Sequence, residues 1–283
     1  VAKVMLIKTL VENTSISKGF GSEHGLSLYI KTKKYKILFD VGASELFLQN
    51  AKKLDVNIAD IDFLVISHGH YDHGGGLKTF LKENTKAEVF LHQLAFEKHY
   101  AIRPNDKLDI IGLDENLKNN KQIVLTSDRF FINNGIQVFS NVVQRKPRPK
   151  SNRGLLMEYN GQTMEDTFVH EQNLVVEEDG KTLLLTGCAH NGIINILEHF
   201  HSIKGRMPDY VIGGFHLSSH LFGDEDSDTI DRIGDYLMDT KSKYYTCHCT
   251  GIEPYKRLKS FMGDSIDYLS AGSVLKIPPM NGY

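Results

Sequence analysis

Cysteine is scarce in this sequence: three residues in 283, an odd number in a chain without an export signal, which excludes a disulfide framework as the basis of the fold. Long apolar runs are absent too. Nothing approaches the roughly 20 residues that span a bilayer, so no membrane partner is expected. Neither charge is in excess: 33 Lys and Arg against 35 Asp and Glu leave a net charge of -2. No general field then draws the chain to nucleic acid, and extended DNA or RNA is not an expected partner. No fixed-period repeat, low-complexity tract or clean linker occurs, and one domain over 1–283 is expected. The opening VAKVMLIKTLVENTS is expected to be a strand ending in a polar turn. Lys3 and Lys8 interrupt its apolar run and no small-residue cleavage site follows, so a cytoplasmic protein is expected.

What is present is ordinary globular composition, 41% hydrophobic and 24% charged, enough to bury a sizeable core. Strand and helix patterns alternate. LSLYI (26–30) and YKILFD (35–40) read as a hairpin, and 44–54 as a helix with Ser44 as N-cap. IDFLVIS (61–67) is almost continuously apolar, as suits a strand buried on both faces. A helix over 74–83 and a strand over 87–92 follow. The stretch 101–153 is irregular, with short strands at QIVLT and GIQVFS, and reads as an insertion. Beyond it come strands 173–177 and 182–186, helix 191–203, strand 209–212, helix 226–239, strand 243–247, helix 253–262 and one closing strand near 266–276. Such alternation implies an α/β fold, sheets covered by helices, with functional groups in loops at strand ends.

SHGHYDHGGG (67–76) follows the most apolar strand and supplies His68, His70, Asp72 and His73 within six residues. Imidazole and carboxylate ligate zinc and harder divalent ions such as manganese or iron. Gly69 and Gly74 to Gly76 let the backbone fold tightly enough for the side chains to converge. A bound cation keeps such crowded histidines neutral.

His-x-His-x-Asp-His after a buried strand resembles the signature of the metallo-β-lactamase superfamily, and ILFDVGAS, with Asp40 and Gly42, resembles its acidic-glycine turn. EHGLSLYI, EQNLVV, LLLTGCAHNGIINIL, VIGGFHL and CHCTG extend the resemblance to the dihydropterin–ribofuranosylaminobenzene-phosphate synthase-like group. The resemblance implies an αββα sandwich, two mixed sheets flanked by helices, with two divalent metals at one edge, zinc foremost and manganese or iron as alternatives. It implies further ligands downstream: His170 or His190 as third histidine, Cys188 at the bridging position, and His248 as the late histidine. If the strand before Cys188 continues, Cys188 and His190 face the same way; His190 is placed slightly ahead of His170, and both ahead of Cys188.

By the same alternation, Cys247 and Cys249 are expected to point away from the metals as inert thiols. His216 is expected to give a hydrogen bond or a leaving-group proton, with a structural role equally open. His24 and His92 are pocket candidates near strand ends, His24 being assigned to substrate. His199 and His201 are expected to face solvent, and His99 and His220 have no case beyond residue type. QRKPRPKSNR (144–153) offers Arg145, Arg148 and Arg153 as a clamp for a phosphate or carboxylate. The expected function is a metal-dependent hydrolase in which Asp72 orients a metal-activated hydroxide attacking a phosphate ester or phosphodiester; the partner is then a small phosphorylated substrate. The alternatives are a synthase-like condensing enzyme that releases pyrophosphate and a non-catalytic, metal-loaded ligand-binding protein. An iron redox site is less favoured, because no separate electron-carrier motif is present.

Overall fold

The computed structural model describes residues 4–278, so Lys3 lies outside the described residues. In chain order, β1 (Met5–Val11) leads to β2 (Ser27–Lys31), β3 (Lys36–Phe39), helix α1 (Leu46–Lys53) and β4 (Phe63–Val65). The one-turn helix α2 (Tyr71–Gly74) and α3 (Leu77–Glu83) precede β5 (Glu88–His92). Five short strands follow: β6 (His99–Ile102), β7 (Leu108–Ile110), β8 (Ile123–Thr126), β9 (Arg129–Asn133) and β10 (Ile136–Phe139). Then come β11 (Leu155–Tyr159), β12 (Gln162–Glu165), β13 (Asn173–Glu178), β14 (Lys181–Thr186) and α4 (Ile193–Lys204). The last third holds β15 (Tyr210–Gly213), β16 (Ser218–Ser219), β17 (Gly223–Asp224), α5 (Ser227–Asp239), β18 (Lys243–Thr246), α6 (Ile252–Met262), β19 (Ile266–Tyr268) and β20 (Val274–Ile277).

Two seven-stranded sheets result, ordered β20-β1-β2-β3-β4-β5-β8 and β19-β18-β15-β14-β13-β10-β9. Strands β3, β4, β5 and β8 run parallel, as do β14, β15, β18 and β19; the other pairs in these sheets are antiparallel. The period-two pattern explains the layers. Leu28, Ile30, Ile37 and Phe39 face inward and meet Val138, Leu174, Val176 and Leu185 of the second sheet. Leu38, Leu64 and Val89 face outward and are covered by Phe47 of α1 and Phe80 of α3. Val175, Leu184 and Val211 are covered likewise by Ile196 and Phe200 of α4 and Leu258 of α6. The αββα sandwich expected from the sequence is thus present, and no helix among the described residues is long and apolar enough to cross a membrane.

Four expectations change. The closing strand is two strands: β19 joins the second sheet and β20 returns to pair with β1 in the first. The turn at Ala271–Ser273, where Gly272 has φ 94°, breaks the run. The irregular stretch contributes β6 and β7 to a four-stranded accessory sheet, order β12-β11-β6-β7. These strands are only 3–5 residues long, and every residue of β12 is exposed, so no hydrophobic alternation announced them. Ser44 precedes rather than occupies the cap of α1, although its hydroxyl still accepts the Leu46 N–H at 3.1 Å. His199 is half-buried and stacks on Phe139 at 5.3 Å instead of facing solvent.

The parallel strands decide where chemistry collects. Asp40 follows β3, His68 follows β4, Cys188 and His190 follow β14, His216 follows β15, and His248 follows β18. All leave carboxyl ends of parallel strands, the edge where open α/β sheets place their ligands. Asp40, Ala189, His216 and His248 adopt left-handed φ of 60°, 55°, 52° and 53°, a conformation that costs a non-glycine residue about 1–2 kcal/mol. Each turns the chain abruptly at the end of a strand.

Candidate metal centre

Asp40 organises the first half of the site. Fully buried, its carboxylate accepts the Ser67 N–H at 2.6 Å, the Ser67 hydroxyl at 2.7 Å and His73 Nδ1–H at 2.6 Å. Ser67 Oγ in turn accepts His68 Nδ1–H at 2.8 Å. The second half is held the same way: His190 Nδ1–H donates to Asn152 Oδ1 at 2.8 Å, and His248 Nδ1–H to Asn13 Oδ1 at 2.7 Å. These acceptors assign the Nδ1–H tautomer to all four rings. Their Nε2 lone pairs therefore point into the interior.

They meet there. His68 Nε2 lies 3.2 Å from His190 Nε2, and His73 Nε2 lies 3.2 Å from His248 Nε2 and 3.1 Å from Cys188 Sγ. Asp72 Oδ2 is 3.2 Å from His248 Nε2, 3.5 Å from His73 Nε2 and 3.3 Å from His24 Nε2. Between neutral His68 and His190, two acceptor nitrogens at 3.2 Å with no proton between them repel unless a cation lies among them, whereas on the His73 side a cation would take the place of a second proton on His73. His68 and His190 are fully buried, and burial together with neighbouring histidines pushes their pKa well below 6.5, so they stay neutral as metal ligation requires. Burial opposes charge on His73 as well, but Asp72 and Asp40 outweigh it and raise its pKa to about 9. For Asp72, burial alone would raise the pKa; His73, His24 and His248 hold it well below the usual carboxylate range. Asp40 and Asp72 thus favour positive charge on the His73 side of the cluster. The donor set fits divalent cations in two groups that share Cys188: His68, Cys188 and His190, and His73, Cys188 and His248 with Asp72 alongside.

The remaining sequence-selected residues divide. His170 stands apart from these groups: its Nδ1 accepts the Gly69 N–H at 3.0 Å and its Nε2–H faces Asp166 at 3.1 Å, so both nitrogens are engaged. His190 thus takes the place beside His68. His70 is buried with its ring 4.6 Å from His68 and 5.0 Å from His190; its Nε2, 3.6 Å from Asp166 Oδ2, has no hydrogen-bond partner. His92 is turned inward, where Nδ1 accepts the Leu94 N–H at 3.1 Å. Cys249 is not turned away. The chain after Cys247 enters a 3-10 turn, His248–Thr250, so strand alternation does not apply there, and Cys249 reaches the cavity while Cys247 stays in the core between the sheets.

A cavity of about 450 Å3 opens over the cluster, lined by His24, His70, Asp72, Cys188, His190, His216 and His248 on its polar side and by Ile102, Ile111, Leu155, Leu221 and Phe222 on its apolar side. Of the three arginines selected, Arg153 lines it, with its guanidinium 5.4 Å from the Phe222 ring centroid. Arg145 instead faces Glu198 at 3.8 Å, and Arg148 donates to Thr167 O at 2.8 Å; both are outside this cavity. Arg103 also lines the cavity, and Ile102 N–H donates to Gly154 O at 2.8 Å, which sets Arg103 and Arg153 at adjacent strand ends. Sequence reasoning missed Arg103, His220, His99, Asp166, Glu12 and Glu171. Fully buried Glu12 and Glu171 accept the backbone N–H of His248 and His190, each at 2.6 Å. The signal for Glu171 was its position in EQNLVV next to the cluster; nothing in the sequence linked Glu12 to His248, 236 residues away.

An αββα sandwich whose parallel strand ends gather imidazoles, a carboxylate and a thiol is the metallo-β-lactamase fold with a candidate metal site at its usual edge. The family model described as the metallo-beta-lactamase superfamily matches residues 21–133. The chain is 30% identical over 280 residues to the uncharacterized protein MJ0448 of Methanocaldococcus jannaschii, covering 96% of this chain and 100% of that one. It is also 30% identical over 290 residues to the 7,8-dihydropterin-6-methyl-4-(beta-D-ribofuranosyl)-aminobenzene-5'-phosphate synthase of the same organism, covering 95% and 96%. Among solved structures, Tm1679, a metal-dependent hydrolase of the beta-lactamase superfamily, aligns with a TM-score of 0.82 at 30% identity over 97% of this chain and 99% of its own. The chain belongs to the metallo-β-lactamase superfamily.

Proposed function

We propose that the protein is a hydrolase that holds two divalent cations, zinc foremost, and cleaves a phosphate ester or phosphodiester. The observation that carries this reading is the convergence of paired Nε2 atoms at 3.2 Å on both sides of Cys188, under a cavity that also holds Arg103 and Arg153. His68, His70 and His190 would hold one cation and Asp72, His73 and His248 the other, with Cys188 between them. Bound there, the cations would acidify a water and polarise the oxygen under attack.

The chain's own groups supply the rest. Asp72 orients the attacking water, takes its proton and delivers it to the leaving oxygen. Its Oδ2 is held for this by His24 Nε2, whose pKa, lowered by burial, is raised overall by Asp72. The apolar wall of Ile102, Leu155 and Phe222 excludes water from the neutral part of the substrate, and Arg103 and Arg153 bind its anionic part. Elemental analysis of the purified chain should find close to two zinc or manganese ions per molecule. Turnover across a phosphoester panel should disappear in His68→Ala and Asp72→Ala; activity that survives either change would end this mechanism.

A second reading rests on the 30% identity to the synthase over 95% of this chain: condensation of a pterin with a phosphorylated aminobenzene riboside and loss of pyrophosphate. Pyrophosphate release from those two substrates, without phosphoester turnover, would favour it.

A further inference from the structure

Beside the histidine cluster, Cys188 also meets two side chains, His216 and Cys249, that the proposed hydrolysis does not use. The ligand atoms of Cys188, His216 and Cys249 all lie within 4.8 Å of one another. All three residues line the cavity. Both ring nitrogens of His216 are buried and have no hydrogen-bond partner, although its ring centroid is only 4.2 Å from that of His190. An imidazole left with two buried, unsatisfied nitrogens carries an uncompensated desolvation cost that a bound ion would offset. The left-handed φ of 52° at His216 is a further local cost, set against the strand end that precedes it. Cys249 is nearly fully buried, and its neighbour in space is the Cys188 carbonyl, 3.6 Å from Sγ. No disulfide joins the cysteines.

We propose that Cys188, His216 and Cys249 form a thiolate-rich cation position adjoining the histidine centre, suited to a thiophilic divalent ion such as zinc rather than manganese. Two sulfurs and one imidazole are a ligand set of borderline-to-soft character. In a tetrahedral zinc site the ligand atoms stand about 3.3–3.8 Å apart, so the group needs only a small contraction to close around an ion. The fourth position faces the cavity, as in zinc sites that keep one place open for water or substrate. Binding is balanced by proton loss: each thiol gives one proton to solvent as its sulfur bonds the ion, and His216 bonds through a neutral nitrogen. Because Cys188 also borders both histidine groups, this position draws the centre toward the Cys249 side and gives His216 a ligating role instead of proton donation. The inference rests on metal binding at this edge but not on phosphoester hydrolysis.

The test is a cobalt(II) titration of the reduced, metal-stripped full chain, read by absorption. The d–d bands report cobalt bound at the centre as a whole, and the near-ultraviolet sulfur-to-cobalt band reports thiolate ligands. In Cys249→Ser the sulfur band should lose the part that Cys249 contributes while the part from Cys188 remains, whereas Cys247→Ser, in the core between the sheets, should leave it unchanged. A full sulfur band in Cys249→Ser would overturn the proposal while leaving the histidine centre intact, and absence of d–d bands in the wild-type chain would defeat both. Wild-type protein gives an answer that needs no variant. Under iodoacetamide, with peptide mapping, cobalt(II) should protect both Cys188 and Cys249; equal alkylation of Cys249 with and without cobalt would overturn the assignment.

Discussion

Asp40 shows how much of the site hangs on a single buried carboxylate behind the histidines. One carboxylate orders Ser67, and through it His68, while also fixing His73. Asp40→Asn keeps the volume but sets an amide N–H₂ against at least one of those donors. Cation affinity, measured by chelator competition, should fall about 10–100-fold, the usual effect of losing a partner behind a metal-ligating histidine. The arginines separate by the same local logic. Arg103→Ala and Arg153→Ala should each raise KM for 4-nitrophenyl phosphate about tenfold or more, the worth of a charge-assisted hydrogen bond, with a smaller change in kcat. Arg145→Ala, on the Glu198 side and outside the cavity, should change neither. The sequence grouped Arg145, Arg148 and Arg153 by adjacency. The short turn at Lys150–Asn152 sends only the last of them toward the cavity.

At the scale of elements, the junction between the sheets is the sensitive place. Gly187, just after β14, lies so close to Ser67 that a Cβ there would overlap Ser67 Oγ and Cβ and come within 3.1 Å of His68 Nδ1. Gly187→Ala should cost about 1–3 kcal/mol in denaturant unfolding, as overpacking of a tight contact does, and should weaken cation binding by displacing His68. The long apolar elements were legible because they bury one face or both: the hairpin β2–β3, strands β4 and β5, and helix α4 fall where their patterns put them. The accessory strands β6, β7, β11 and β12 were not, since they are short and only partly buried, and the closing segment was read as one strand because a turn between two apolar stretches does not reveal that they join different sheets.

For the whole molecule, the burial of so many histidines sets a pH dependence. Burial, with His170 beside it, pushes the His92 pKa down to about 4; burial, His170 and His70 push His99 to about 2. Unfolded, both titrate near 6.5. Below that value the unfolded chain binds protons that the folded chain refuses, so the contribution of these two groups to stability is full above pH 6.5 and declines as pH falls toward 4. Each such group contributes a slope of about 1.4 kcal/mol per pH unit. Denaturant unfolding of the metal-free chain between pH 7 and 4 should show this decline. His92→Asn, which keeps an acceptor for the Leu94 N–H, should make it shallower; an unchanged slope would mean that His92 is protonated in the folded state.

The layered α/β architecture and the first run of candidate ligands can be read from the amino-acid order, because both are local. Apolar period sets strand and helix faces, and His68, His70, Asp72 and His73 lie within one turn-forming stretch. Tertiary structure alone decided that His190 rather than His170 stands beside His68, that Cys249 joins Cys188 and His216, and that Arg103 shares the cavity with Arg153. Those choices depend on left-handed turns at Ala189, His216 and His248 and on distant acceptors such as Asn13 and Asn152. A single turn at the end of a strand redirects every side chain after it. No periodicity in the sequence records which way it turns.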